Sequence, residues 1–204
     1  MGGESKDALV ASLRQHVADD RVLAAMAAVP RDVFVPPELR SRAWEDAALP
    51  IGRRQTISQP LVVAHMCALL DVRPGDRVLD VGTGSGYHAA VLAALGARVW
   101  SVERDPDLSG SAREALAAAG AEGVELLVGD GTLGHAAAAP YDAINVAASA
   151  PERVPPALLD QLAPGGRLVA PVGEQLVYVA RGRDGRLGEP RAHGAVRFVP
   201  LVGG

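Results

Sequence analysis

From residue 60 to residue 173 the chain alternates between helix-like and strand-like patterns, and this alternation limits the possible folds more than any other feature. PLVVAHMCALLD (60–71) carries apolar residues at helical spacing, RVLDV (77–81) reads as a buried strand, AAVLAALG (89–96) as a helix ending in Gly96, and RVWSVE (98–103) as a second strand. A helix over about 107–119, strands at VELLVGD (124–130) and YDAINVAA (141–148), a short helix over 155–162 and a strand at GRLVAPVG (166–173) continue the series. Strands separated by helices predict a parallel sheet covered on both faces, a doubly wound, Rossmann-like α/β fold.

The flanks break this rhythm. Residues 7–28 are rich in Ala, Leu and Val at helical spacing and Pro30 ends the pattern, which predicts one N-terminal helix. An irregular segment follows, with a small helix over 37–44. At the other end, QLVYVARG (175–182) and VRFVPLV (196–202) flank RDGRLGEPRAHG, whose Asp184-Gly185 predicts a turn between two antiparallel edge strands.

A chain of 204 residues that is 49% hydrophobic, with no apolar run near the length of a membrane span, predicts one soluble domain and no membrane partner. We divide it into an N-terminal helix and loop (1–59) and a core with C-terminal strands (60–204). A net charge of −4, with two Trp, three Tyr and two Phe, provides neither a basic footprint nor a stacking platform, so no nucleic-acid partner is expected. The five histidines are scattered and Cys67 is the only cysteine, so no metal site and no internal disulfide are expected. MGGESKDALV has no apolar signal core, and Lys6 stands where a myristoylation signal needs Ser or Thr. The cytosol and a monomer are the expectations.

Strand 77–81 delivers the chain into Gly82-Thr83-Gly84-Ser85-Gly86 and then a helix. Glycines there allow unusual dihedrals and close approach of a ligand to the backbone. A dinucleotide fingerprint would place its third glycine at 87, which is Tyr87, and no Walker lysine is present. Glu103 and Asp130 end the second and third strands, at the sheet edge where open α/β folds bind ligands. Each acid can cap the helix that follows it, or accept hydrogen bonds from a ribose (Glu103) and an adenine amine (Asp130). Together the three features favour an adenosine ligand without phosphates, such as S-adenosylmethionine, with Asp80 positioned to draw the methionyl ammonium through water.

The polar stretch RRQTISQP (53–60) runs directly into the helix at 60. Ser58 reads as an N-cap with Pro60 in the first turn, or as a residue of a site. Both roles are compatible, because a serine at a helix start can aim its hydroxyl at an anion.

These residues carry a resemblance. LDVGTGSGYHAAVLA followed by VWSVER resembles class I methyltransferases. TISQP, with ALPIG upstream and PVG and VRFVPLVG downstream, is similar to protein-L-isoaspartate (D-aspartate) O-methyltransferases over about residues 25–203. The resemblance implies a class I sheet with rearranged last strands, S-adenosylmethionine as donor, S-adenosylhomocysteine as product, and an isoaspartyl or D-aspartyl carboxylate of a peptide or protein as acceptor. It makes Ser58 the catalytic serine, lays Gln55, Thr56 and Ile57 over the cofactor, and assigns Glu103 to the ribose and Asp130-Gly131 to the adenine. By analogy Val202 lines the peptide groove.

An acceptor carboxylate is already ionised near neutral pH, so methyl transfer to it needs geometry rather than a general base. The chain departs from the family in carrying Arg53-Arg54 where a glycine is usual. Both arginines read either as solvated charges or as residues that favour acidic peptides. Three other functions compete with isoaspartyl repair: methylation of an ordinary aspartate in a dedicated precursor peptide, small-molecule O-methylation, and binding without turnover.

Overall fold

The computed structural model describes residues 5–203. The first four residues, on which the reading of the N-terminal signal partly rests, lie outside them. The N-terminal helical pattern divides into α1 (Lys6–Leu13) and α2 (Asp20–Ala28). One helix was expected; the break arises because the Asp19 side chain accepts from the Arg21 and Val22 amides and starts a new helix. Two 3-10 turns, Arg31–Phe34 and Pro37–Arg42, follow, the second replacing the small helix expected at 37–44.

Strands β1 (Leu49–Gly52) and β2 (Gln55–Ile57) form an antiparallel hairpin where the sequence pattern predicts an irregular segment and a polar loop. Its two-residue turn is Arg53-Arg54, with φ of 48° and 58°. Hairpins favour a turn with positive φ at both central positions, but Asn-Gly is its usual sequence signal and two arginines give none.

From there the alternation is as expected: α3 (Pro60–Leu70), β3 (Arg77–Val81), α4 (Tyr87–Ala94), β4 (Arg98–Glu103), α5 (Pro106–Ala118), β5 (Val124–Val128), β6 (Tyr141–Val146), α6 (Pro156–Asp160) and β7 (Leu162–Val172). Strands β8 (Gln175–Ala180) and β9 (Arg191–Ala195) complete a seven-stranded sheet of order β5-β4-β3-β6-β7-β8-β9. Pairing is parallel from β5 through β7, and β8 and β9 are antiparallel. Its doubly wound, Rossmann-like class matches the expectation.

One edge strand is displaced from its expected place. β9 comes from Arg191–Ala195, inside the stretch read as a turn region, and VRFVPLV is an extended tail. All five β9 residues are exposed, so the strand carries no apolar alternation to reveal it. The tail is apolar because it covers protein: Phe198 packs on one core cluster and Leu201 on the other.

Alternation along the strands builds two cores, one on each face of the sheet. Val78, Val99, Ala143 and Val169 pack with residues of α1 to α4, whereas Leu79, Trp100, Ile144 and Leu168 face Leu158 of α6. The carboxyl ends of β3, β4 and β6 are thereby fixed side by side. Among the described residues, no helix is long and apolar enough to cross a membrane, and no three His, Cys, Asp or Glu side chains gather as a metal site would require.

Candidate active site

At the carboxyl edge of β3, β4 and β6 lies a cleft of about 330 Å³. It is within the size range of sites for small molecules. The glycine loop forms one wall, with Gly82, Thr83, Gly84 and Ser85 lining it, and Glu103 stands beside them at the end of β4. Gln55, Thr56, Ile57 and Ser58 come from the hairpin on the opposite side, while Gly131 and Val202 lie along the rim. Eleven sequence-predicted residues thus meet around one cavity.

Glu103 is 7% exposed and holds the loop in place: its Oε2 accepts from the Gly84 amide at 2.9 Å and its Oε1 from the Asp105 amide at 3.0 Å. Each carboxylate oxygen keeps a further lone pair, so the two can receive the paired hydroxyls of a ribose. Gly82, Gly84 and Gly86 have φ of 89°, 53° and 90°, a region that L residues avoid. A Cβ on Gly131 would sit 2.6 Å from Val81 Cγ1, so only glycine lets the third strand end close to the first.

Three predicted cofactor residues lie outside the lining, and Ser58, within it, is not the helix cap. Asp80 is fully buried and is not part of the cavity lining. Its Oδ2 accepts from the Ser101 hydroxyl at 2.6 Å and its Oδ1 from Asn145 Nδ2 at 2.7 Å, so each oxygen is held by the protein interior. Gly86, at the start of α4, is also outside the lining; a Cβ there would lie 3.2 Å from Leu116 Cγ. Asp130 caps the 3-10 turn at Gly131–Leu133, its Oδ1 accepting from the Thr132 amide at 2.8 Å and the Thr132 hydroxyl at 2.6 Å. It borders the site without lining it. Ser58 lines the cavity, but it is not the helix cap: Gln59 holds that position, and Asp46 accepts from the Leu61 amide at 2.8 Å. Ser58 is half-buried, and its hydroxyl makes no hydrogen bond to another described residue.

The arginines of the hairpin turn separate in role. Arg53 forms ion pairs with Asp105, at 3.1 Å, and with Asp107, both at the start of α5. Arg54 has no ion pair among the described residues. Of the two arginines expected to meet an acidic peptide, Arg53 is thus paired within the protein while half exposed.

Several lining residues went unpredicted, notably Tyr87, His88, Asp105, Ala147 and the tail residues Val199 to Leu201. Ala147 follows β6 at the same sheet edge as the glycine loop, a placement that the strand pattern could have revealed. The tail could not have been placed so, because it reaches the site through Ser149, whose amide donates to the Val199 carbonyl and whose carbonyl accepts from the Leu201 amide, both at 2.8 Å.

Beneath the loop a buried hydrogen-bond network continues from Asp80. Thr83 donates to Ser101, which in turn donates to Asp80; the two hydroxyl oxygens are 2.6 Å apart. Asn145 Nδ2 stands 3.2 Å from His88 Nδ1, which therefore accepts, leaving the proton on Nε2, 3.4 Å from Cys67 Sγ. Burial raises the Asp80 carboxyl to about 6, against the Ser101 and Asn145 hydrogen bonds that lower it, and burial lowers His88 to about 4. The Cys67 thiol is pushed far up by the same desolvation. Near neutral pH Asp80 is ionised and His88 neutral, and the accepting atoms of both already receive hydrogen bonds from the protein interior.

Comparison with known proteins agrees with this geometry. The family model for protein-L-isoaspartate(D-aspartate) O-methyltransferase matches residues 4–204. A protein-L-isoaspartate O-methyltransferase of Methanoculleus marisnigri is 56% identical over 191 residues, covering 92% of this chain and 86% of that protein. A solved protein-L-isoaspartate O-methyltransferase superposes with a TM-score of 0.85 at 27% identity, over 98% of this chain and 66% of that one. A Plasmodium falciparum chain in complex with S-adenosyl-L-homocysteine shares the fold with a TM-score of 0.83 at 24% identity, over 98% of this chain and 99% of its own. A match over residues 4–204, with relatives identical at half of their positions or more, shows that the chain belongs to the protein-L-isoaspartate (D-aspartate) O-methyltransferase family.

Proposed function

We propose that the chain transfers a methyl group from S-adenosylmethionine to the free carboxylate of isoaspartyl or D-aspartyl residues in peptides and proteins, with Ser58 as the catalytic residue that orients the acceptor. The observation that carries this reading is the position of Ser58, whose hydroxyl has no partner among the described residues, in one cleft with Glu103 and the glycine loop. Glu103 would hold the ribose. At Gly82 and Gly84 the loop has no Cβ, so the adenosine could approach its backbone there, with Gly131 beside it. Gln55, Thr56 and Ile57 would cover it, and Arg54 and Val202 would meet the peptide.

The donor supplies an electrophilic methyl on a sulfonium. The acceptor carboxylate, ionised near neutral pH, provides the electron pair for the new C–O bond, and the C–S bond breaks as sulfur takes its pair back. No proton moves, which agrees with a site whose His88 has both ring nitrogens engaged. Ser58 has to hold one carboxylate oxygen so that the other approaches the methyl in line, at about 3 Å. In the methyl ester the formerly free carboxyl, which is the α-carboxyl of an isoaspartyl residue and the side-chain carboxyl of a D-aspartyl residue, has a better leaving group, so the adjacent backbone nitrogen can attack it, displace methanol and close a succinimide. Hydrolysis of that ring returns a share of normal aspartate.

Labelled S-adenosylmethionine, offered with aspartyl and isoaspartyl versions of one peptide, tests the acceptor. Label is expected in the isoaspartyl peptide alone; transfer to the aspartyl version only would overturn the assignment. Ser58→Ala is expected to lower kcat about ten- to hundredfold, as loss of one hydrogen bond to a charged group predicts, while S-adenosylhomocysteine binds as before.

A further inference from the structure

The start of α3 poses a question of assignment. In the order Ser58-Gln59-Pro60-Leu61, a serine cap would accept from the amide three residues on, which is that of Leu61, because Pro60 has no N–H. That local bond is absent. Asp46 reaches in from fifteen residues upstream: its Oδ1 accepts from the Leu61 amide at 2.8 Å and its Oδ2 from Gln59 Nε2 at 2.9 Å. On the other side, the fully buried guanidinium of Arg31 donates from Nη2 to the Ser58 carbonyl at 3.0 Å and to the Ala47 carbonyl at 3.0 Å. Its Nη1 donates to the Ala43 carbonyl, and its Cζ lies 5.6 Å from the ring centroid of the lining residue Tyr87.

We propose that Asp46 is a positioning residue for methyl transfer: by capping α3 in place of Ser58, it leaves the serine hydroxyl free for the acceptor carboxylate, while Arg31 anchors the same turn through its carbonyl. The inference rests on the reading of Ser58 given above. It explains why a serine placed for local capping does not cap. A carboxylate is the stronger acceptor for a helix-start amide, since it adds a favourable interaction with the positive end of the helix dipole. Once the Leu61 amide is taken, the nearest structural partner of the Ser58 hydroxyl is gone. Without Asp46, the hydroxyl would turn to that amide and leave the cleft.

This competition predicts a coupling that a merely structural role would not produce. In a double-mutant cycle, kcat for an isoaspartyl peptide is measured for the wild type, Ser58→Ala, Asp46→Ala and the double variant, with S-adenosylhomocysteine affinity measured on each. Asp46→Ala is expected to lower kcat about tenfold with unchanged affinity, and adding Ser58→Ala to it to cost less than about threefold more. Asp46→Asn keeps an acceptor for the Leu61 amide, and its new amide can meet a flipped Gln59, so it is expected to stay within about twofold of wild type and to retain the full Ser58→Ala loss. If Asp46→Ala does not fold, Asp46→Glu, which displaces the acceptor by one methylene, carries the same cycle with a smaller loss and the same coupling. Multiplicative effects of the two substitutions would overturn the proposal. An unchanged kcat for Ser58→Ala alone would instead remove the reading of Ser58 on which it stands.

Discussion

At the base of the glycine loop, Asp80, Asn145, Ser101, Thr83 and His88 hold one another through buried hydrogen bonds, contributed by β3, β4, β6, the loop itself and the start of α4. Above the cleft, the Ser58 turn is held by charged groups from far along the chain, Arg31 at a separation of 27 residues and Asp46 at 15 from Leu61. The floor is thus a product of neighbouring strands, and the roof of long-range ionic anchors. A site that must enclose a donor and then admit a peptide benefits from this division, because the floor can stay fixed while the roof is set separately.

The largest effect should come from the floor. Glu103 ties the Gly84 and Asp105 amides and is the proposed ribose acceptor, so Glu103→Ala removes several hydrogen bonds to a charge at once. At about 1.5–3 kcal/mol for each such bond, S-adenosylhomocysteine should bind at least about a hundredfold more weakly by calorimetry. Ser58→Ala, on the roof, should leave that affinity unchanged. Equal losses of affinity in the two variants would erase the distinction between floor and roof.

A smaller but sharper test uses the two titrating groups of the floor. The folded protein keeps the Asp80 proton up to about pH 6, whereas an unfolded aspartyl loses it near 3.8. Its contribution to stability is therefore present below about 3.8 and lost as pH rises through about 6. His88 has the opposite sign, because its folded value of about 4 lies below the ordinary 6.5. Its contribution is present above about 6.5 and lost as pH falls through about 4. Each amounts to on the order of 3 kcal/mol, and in the wild type they nearly cancel. Relative to wild type, Asp80→Asn should gain stability as pH rises from 4.5 to 6.5 and His88→Asn should lose it, as read by urea unfolding. Parallel curves for all three proteins would show that these groups are not buried in the folded state as the hydrogen-bond network requires.

The same contrast explains what the sequence disclosed. Strands such as RVLDV and RVWSVE announce themselves because both their faces are buried, and the acid ending β4 lies next to the glycine loop as a consequence of parallel order. Gln55 to Ser58 were legible as a motif, but their hairpin was not, since its Arg53-Arg54 turn uses residues that ordinarily avoid positive φ. The capping of α3 was misread for a related reason: local spacing nominates Ser58, and nothing local reveals that Asp46 outcompetes it. β9 and the tail exchanged identities because apolar content tracks burial, and here the covering tail is more buried than the edge strand.

The smallest expected effect lies where roof and floor meet. Arg53 reaches from the hairpin turn to Asp105 and Asp107, and Asp105 follows Glu103 by two residues on the cavity wall. With Arg53 half exposed, these pairs contribute at most about 1 kcal/mol, close to fivefold in an equilibrium. The turn opposes them, since each non-glycine residue at positive φ costs about 1–2 kcal/mol. The ion pairs therefore offset only part of the cost of the two such residues at the turn, and Arg53→Ala should speed release of S-adenosylhomocysteine about two- to fivefold at low ionic strength in a stopped-flow displacement experiment. At about 0.5 M salt, where screening acts within a few ångströms, wild type and variant should converge. The effect of Asp46→Ala, acting through a part-buried cap, should persist there. If the Arg53 difference survives high salt undiminished, the tip is governed by the backbone of its turn, and ionic anchoring of the roof ends at Arg31 and Asp46.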